Sequence, residues 1–259
     1  MNPVALVTGA SSGIGLHVAE GLAKRGYDLV LVGRNEPELT TLQAAWTATY
    51  GVRVQVVASD LAEAGAAERM YAAVRAENPV PDVLVNNAAF GEVGPFHAAD
   101  PAQFERMMQL NMSALTRLTH LALVEMRARG SGRIMNVASC AAFNAGPLMA
   151  VYFATKAYVL HFSEAVAHEC AGSGVTVTVL CPGATKTNFH ITAGFHPKSK
   201  LFNFPYAASA ASVATYGLRA LFAGRRIAVP GLSNRLSLFA IRLLPRRMVT
   251  ATTHWALRQ

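Results

Sequence analysis

Tyr152 and Lys156 stand four residues apart in Tyr152-Phe153-Ala154-Thr155-Lys156, inside a stretch from about Leu148 to Ala171 that reads as one long helix. That spacing sets both side chains on one helix face, a phenol beside an ammonium group. Tyrosine ordinarily releases its proton near pH ~10. A neighbouring cation that stabilises phenolate would make the pair a candidate acid/base centre at neutral pH. The same spacing also describes a plain surface pair, so other residues must decide. Thr8-Gly9-Ala10-Ser11-Ser12-Gly13-Ile14-Gly15 follows the strand-like Val4–Thr8 and opens an amphipathic helix. Glycines there permit a tight turn and let backbone amides approach a pyrophosphate, which the positive helix terminus favours. Arg34, after the second strand, suits a 2′-phosphate and hence NADP(H), where an acidic residue would suit ribose hydroxyls. Asp60-Leu61, after the third strand, fits the mouth of a sheet where an adenine edge is held, and Asp60 also has the place of a helix N-cap.

The elements that must position these residues alternate. Short β-branched runs occur at Val4–Thr8, Leu29–Val32, Arg53–Ala58, Val83–Asn86, Arg133–Ala138, Val175–Leu180 and Arg226–Val229. Helical patterns lie at about Ile14–Lys24, Glu36–Tyr50, Ala64–Glu77, Pro101–Arg129, Leu148–Ala171 and Tyr206–Ala223. The alternation predicts an α/β fold, a single Rossmann-type doubly wound parallel sheet of seven strands with helices on both faces. Residues 1–230 form the expected dinucleotide-binding and catalytic domain, with a lid at about 184–205, and 231–259 a basic, apolar C-terminal extension.

With 259 residues, 52% hydrophobic and 15% charged, the chain can bury a large core without staples. Cys140, Cys170 and Cys181 are too widely spaced for a metal or redox pair, and the eight histidines show no ligand spacing, so metal catalysis is not indicated. Met1-Asn2-Pro3 runs straight into Val4-Ala5-Leu6-Val7, and no apolar run reaches membrane-spanning length. The expected location is cytoplasmic. Charge is uneven: residues up to Glu169 hold all fifteen Asp and Glu with twelve Lys and Arg, a net −3, while the remainder carries +11.

In order and spacing, Thr8-Gly9-x-x-x-Gly13-Ile14-Gly15, Asp60, Asn86-Asn87-Ala88, Asn111, Ser139, Tyr152-x-x-x-Lys156 and Pro182-Gly183 resemble the classical short-chain dehydrogenase/reductase family. The resemblance runs from Val4 to Ala223 and favours the classical branch over the longer one that modifies nucleotide sugars. It implies that Tyr152 donates the proton to a carbonyl oxygen and that Ser139 supplies a second hydrogen bond to it. It further implies that Lys156 lowers the tyrosine pKa and binds the nicotinamide ribose, while Asn111 positions a proton-carrying water. Thr185 and Thr187, after Pro182-Gly183, would contact the nicotinamide end. Gly9, Ser11, Ser12, Gly13, Ile14, Gly15, Arg34, Asp60, Leu61, Asn87 and Ala88 complete the expected cofactor contacts. The chain departs from the pattern at Ala89, where the family usually has glycine. Chemistry agrees with the implied roles, because hydride delivery to a carbonyl builds negative charge on oxygen that preplaced donors stabilise.

Phe90, Phe96, Phe143, Leu148, Met149, Phe189, Phe195, Leu201 and Phe202 lie in segments expected to border the reacting carbon, and suit an apolar ketone, aldehyde or acyl chain. Packing of the lid onto the body accounts for the same residues equally well. Beyond Pro230-Gly231, a helix from Asn234 to Leu244 would carry Arg235 and Arg242, with Arg246 after Pro245, which breaks or restarts it. An interfacial membrane helix, a subunit contact and a cover over the substrate mouth all fit that pattern. Nucleic-acid binding is disfavoured, since the tail lacks aromatic interleaving and a recognised motif. The leading expectation is an NADPH-dependent carbonyl reductase, for which the family resemblance implies a homodimer or homotetramer. A noncatalytic NADP-binding scaffold and an NAD-linked alcohol dehydrogenase are the alternatives.

Overall fold

The computed structural model describes residues 2–195 and 207–258. Its frame is β1 (Val4–Thr8), α1 (Gly13–Ala23), β2 (Asp28–Gly33), α2 (Glu36–Tyr50), β3 (Val54–Ala58), α3 (Ala66–Glu77) and β4 (Val83–Asn86). There follow α4 (Pro101–Met108), α5 (Leu115–Arg129), β5 (Gly132–Val137), α6 (Ala150–Glu169) and β6 (Val175–Leu180). The chain continues through β7 (Thr185–Lys186), α7 (Phe189–Thr192), β8 (Ala208–Ser209), α8 (Ala210–Phe222), β9 (Ile227–Ala228), α9 (Leu232–Leu243) and α10 (Arg246–Leu257). The main sheet has seven strands in the order β3-β2-β1-β4-β5-β6-β9, all paired in parallel. Chain direction across the sheet reverses between β1 and β4, so the loops after these strands part and leave a crevice at their carboxyl ends.

Because helices cover both faces, the central strands are apolar at nearly every position rather than at alternate ones. Ala5, Val7, Leu29, Leu31, Val83, Val85 and Met135 pack on one side with Val18, Leu22 and Leu218 from α1 and α8. Val4, Leu6, Val30, Val32, Leu84 and Ile134 pack on the other with Met70, Val74, Leu118 and Met126 from α3 and α5. Successive residues of one strand thus feed opposite cores.

Several expected boundaries move for local reasons. The helix expected over Pro101–Arg129 is interrupted by a π-helical stretch, Gln109–Ala114, centred on Asn111. Such a stretch re-aims a side chain out of the α-helical register. The helix expected from Leu148 begins at Ala150, because Leu148 has φ +68°, which no right-handed helix accepts. The helix expected from Tyr206 begins at Ala210: Ala208 and Ser209 pair instead with β7, and Ser209 caps α8 by accepting from the Ser212 amide at 3.2 Å. Asp60 does not cap α3, whose N-cap is Gly65 in the left-handed region. The last strand shrinks to Ile227–Ala228. Pro245 does end α9, and α10 restarts directly after it.

Thr8 joins the two sides of the crevice. Its hydroxyl donates to the Val85 carbonyl at 3.3 Å and accepts from the Asn87 and Ala88 amides at 3.0 and 3.1 Å. Thr8→Val keeps the shape and leaves those groups without their partner. The expected loss is about 2 kcal/mol, read as a lower urea midpoint at unchanged m-value.

Candidate active site

The loop after β1 is shaped by contacts that exclude side chains. Gly9 has φ +65°, and a Cβ there would lie 2.8 Å from Asn87 Nδ2. A Cβ on Gly15 would collide with the Gly9 carbonyl and with Asn87 Nδ2. Asn87 holds this loop from the β4 side, its Nδ2 donating to the Thr8 and Gly9 carbonyls at 3.0 Å each. Ser12 occupies the N-cap of α1 without a side-chain cap bond, and Gly13 and Ile14 open the helix. First-turn amides and the positive helix end are therefore directed at the crevice.

A cavity of about 790 Å³ runs from this loop across the sheet edge. Gly9, Ser11, Ser12, Gly13, Ile14, Arg34, Asp60, Leu61, Asn87, Ala88, Ser139, Tyr152, Lys156, Pro182, Gly183, Thr185 and Thr187 all line it. Gly15 lies beneath the loop rather than in the wall, and Asn111 stands behind the reacting groups. At the β2 end, burial pushes the Asp60 carboxyl up, but the Ala62 amide and Arg106 outweigh it and hold the group below its ordinary value, with Arg34 adding to the effect. The Arg106 Nη2 to Asp60 Oδ2 distance is 2.7 Å. Arg34 is exposed at this rim.

The reacting end is assembled from α6 and the strand ends. Ser139 follows β5; its Oγ accepts from the Ala141 amide at 3.1 Å, donates to the Pro182 carbonyl at 3.4 Å and lines the cavity with Tyr152. The Tyr152 ring packs against Phe189, with centroids 5.2 Å apart, and over Gly91, where a Cβ would come within 2.9 Å of it. Lys156 Nζ donates to the Val137 carbonyl at 2.9 Å and lies 5.8 Å from the Tyr152 ring centroid. The π-helical stretch turns Asn111 toward the same place, where Nδ2 donates to the Phe90 carbonyl at 2.9 Å and Thr155 Oγ1 at 3.1 Å, and Oδ1 accepts from the Phe90 amide at 3.2 Å. Thr155 is a joint between Asn111 and α6 that sequence reasoning missed, although it sits inside the Tyr-x-x-x-Lys run.

The electrostatics differ from expectation in one respect. Burial pushes the Tyr152 phenol up to about 12, with the Ser139 hydrogen bond opposing it in part. The expected depression by Lys156 is not present, because the ammonium is directed to the Val137 carbonyl instead. Burial in turn brings Lys156 down to about 8. Cys140 is pushed up to about 11 by burial, and its Sγ donates to the Cys181 carbonyl at 3.5 Å, so it is a packing thiol rather than a nucleophile.

Of the expected apolar lining, Phe90, Met149, Phe189 and Phe195 face the cavity. Phe96 does not: it is 65% exposed and stacks on Phe104. Phe143 and Leu148 pack within the body, and Leu201 and Phe202 lie outside the described residues. Sequence reasoning assigned no wall residue to the extension, yet Leu238 and Ile241 of α9 and Thr252, Thr253, Ala256 and Leu257 of α10 line the cavity. Thr253 Oγ1 accepts from Asn144 Nδ2 at 2.8 Å, and Leu257 packs with Met149 and Phe195. Asn234 lies so close to Gly183 that any side chain there would strike it. Of the three readings of the extension, a cover over the substrate mouth is the one these contacts express.

Residues 3–195 match the short chain dehydrogenase family model, and the chain belongs to that family. It is an oxidoreductase acting on CH–OH or C=O groups with a nicotinamide cofactor. A 7β-hydroxysteroid dehydrogenase of Clostridium sardiniense is 35% identical over 182 residues, 70% of this chain and 69% of that one. The probable oxidoreductase EphD of Mycobacterium tuberculosis is 34% identical over 73% of this chain but only 32% of its own length. A short-chain dehydrogenase from Sphingobium yanoikuyae in complex with NADPH superposes with a TM-score of 0.83 at 32% identity, covering 93% of this chain and 94% of that one.

Lys156 has a measurable signature. Its folded value of about 8 lies below the ordinary 10.5, so between these pH values the unfolded chain keeps a proton that the folded chain has released. Stability contributed by this group is flat below pH ~8 and rises with pH across the window. The Tm of wild type minus that of Lys156→Met is expected to rise from pH 8 to 10; parallel curves would show that the ammonium is not desolvated.

Proposed function

We propose that the protein is an NADPH-dependent reductase of apolar ketones or aldehydes, with 3-oxoacyl thioesters among the candidates. The observation that carries this reading is the half-buried Tyr152 side chain, set with Ser139 and Lys156 in the wall of one cavity that runs from an apolar end to a glycine loop. The loop fits a dinucleotide, since bare glycines let Gly9, Gly15 and Asn87 pack closely and hold the loop tight, while Gly9, Ser12, Gly13 and Ile14 line the cavity at the start of α1. Gly13, Ile14 and Ser12 would hold the pyrophosphate, Arg34 the 2′-phosphate, Asp60 and Leu61 the adenine edge, and Thr185 and Thr187 the nicotinamide end. Asn87 and Ala88 would border the adenosine ribose. When bound, NADPH supplies hydride to the carbonyl carbon.

Tyr152 then gives its proton to the carbonyl oxygen while Ser139 donates a second hydrogen bond, so the developing charge meets donors already in place. A phenol held up at about 12 carries its proton at neutral pH, the form a proton donor needs. Lys156 is the cation within reach to bind ribose hydroxyls and to support the phenolate that remains. Asn111 Oδ1 keeps a second acceptor position for a water that returns a proton from solvent. The apolar wall of Phe90, Met149, Phe189, Phe195, Leu238 and Ile241 supports a bulky, apolar substrate, as does similarity to a hydroxysteroid dehydrogenase. NADPH preference is supported by Arg34 and by the cofactor named for the Sphingobium structure.

In this reading, residues 1–230 provide dinucleotide binding and catalysis, and 231–259 add a wall. The enzyme works as a cytoplasmic homodimer or homotetramer that contacts membrane peripherally through the extension. Among the described residues no helix is long and apolar enough to cross a membrane.

Two variants test the reading. Tyr152→Phe is expected to lower kcat by roughly 10³-fold with NADPH affinity within about threefold of wild type; near-normal turnover would remove the mechanism. Arg34→Ser is expected to weaken NADPH by roughly 10- to 100-fold while leaving NADH nearly unchanged. Equal losses for both cofactors in titration would defeat the assignment to NADP(H).

A further inference from the structure

The most apolar stripe of α9 points away from the protein. Leu232, Leu236, Phe239 and Leu243 recur at i, i+4, i+7 and i+11, the repeat of one helix face, and all are more than half exposed. Leu238 and Ile241 of the same helix, on its opposite face, line the cavity. On α10, Met248 and Trp255 are exposed on the face that also carries Thr252, which lines the cavity, so this helix presents apolar side chains beside the cavity rather than on an opposite face. A helix of a globular protein normally turns its apolar stripe to the core and its charged face to water. Here both sides of α9 are apolar.

The charges nearby say what covers the outer face. Arg242, Arg246, Arg247 and Arg258 are exposed around it, and no acidic residue follows Glu169. A second copy docking through the same patch by two-fold symmetry would set arginines against arginines with nothing to neutralise them. A negatively charged lipid surface satisfies both features, taking the leucines, phenylalanine and tryptophan into its acyl boundary and the guanidinium groups at its phosphates.

We propose that α9 seats on an anionic bilayer by this outer face, with Leu238 and Ile241 of its inner face bordering the substrate cavity, so that an apolar substrate passes between lipid and site along the helix. The docking stands on surface chemistry alone; the substrate route rests on the proposed reductase activity.

Fluorescence gives a direct readout. The chain has two tryptophans, of which Trp46 is 6% exposed and Trp255 70%, so a vesicle-induced change reports α10, which restarts directly after α9. With vesicles of equal phosphatidylglycerol and phosphatidylcholine, the full chain is expected to co-sediment and its emission to shift to the blue. Pure phosphatidylcholine should bind it at least roughly tenfold more weakly, and Leu236→Ser/Phe239→Ser should cut binding to the anionic vesicles by a similar factor. Both positions are exposed, and unchanged circular dichroism would show that the variant folds. Tyr152→Phe should bind vesicles as wild type does, which separates failure of docking from failure of the catalytic reading. Absence of both shift and co-sedimentation with phosphatidylglycerol vesicles would overturn the proposal. So would a lower solution mass for the double variant without lipid, since the face would then join copies of the chain.

Discussion

A cation buried at the foot of β5 organises the catalytic end. Lys156 is 3% exposed, and its hydrogen bond to the Val137 carbonyl fixes the height and rotation of α6 against the sheet. One turn earlier on that helix, the Tyr152 phenol meets Ser139, two residues beyond Val137. Two side chains of one helix are thus tied to one strand end. A third tie lies deeper: Asn136 Nδ2 donates to Ser163 Oγ at 2.9 Å, while Asn136 Oδ1 accepts from Asn86 at 2.9 Å. This polar chain links β4, β5 and α6 inside an otherwise apolar core, where directional bonds permit only one register.

The desolvation that holds this arrangement also sets its chemistry. Burial raises the phenol and lowers the ammonium, so each group's balance moves toward its neutral form, while Lys156, at about 8, remains a cation at neutral pH. The expected sense, a lysine that depresses its tyrosine neighbour, presumes an ammonium directed at the phenolate, and here it is directed at a backbone carbonyl.

The extension converts a family fold into a particular pocket. The family match ends at residue 195, and the walls added beyond it come from α9 and α10. Their anchor points are small: Asn234 beside Gly183, Thr253 bonded to Asn144, and Leu257 among Met149 and Phe195. These contacts touch the turn after β6 and the approach to α6, so α9 and α10 lie against both the expected nicotinamide end and the substrate end of the cavity.

The sheet, the helices on both its faces and the ordered set from Gly9 to Thr187 were legible in the sequence, because strand-helix alternation and glycine spacing are local patterns tied to backbone geometry. So was the stop at Pro245, where a missing amide and a fixed φ act without help from afar. Local pattern could not show the π-helical stretch at Asn111, the turn of Lys156 toward Val137, or the left-handed Leu148, since each answers to a partner distant in sequence. Nor could it say which of the apolar residues face the cavity: Phe90 does, Phe96 stacks on Phe104, and Ile241 arrives from the far end of the chain. Residue types and spacings determined the class of chemistry. Which groups meet, and with which proton affinities, was decided by burial and long-range packing, which exist only once the chain has folded.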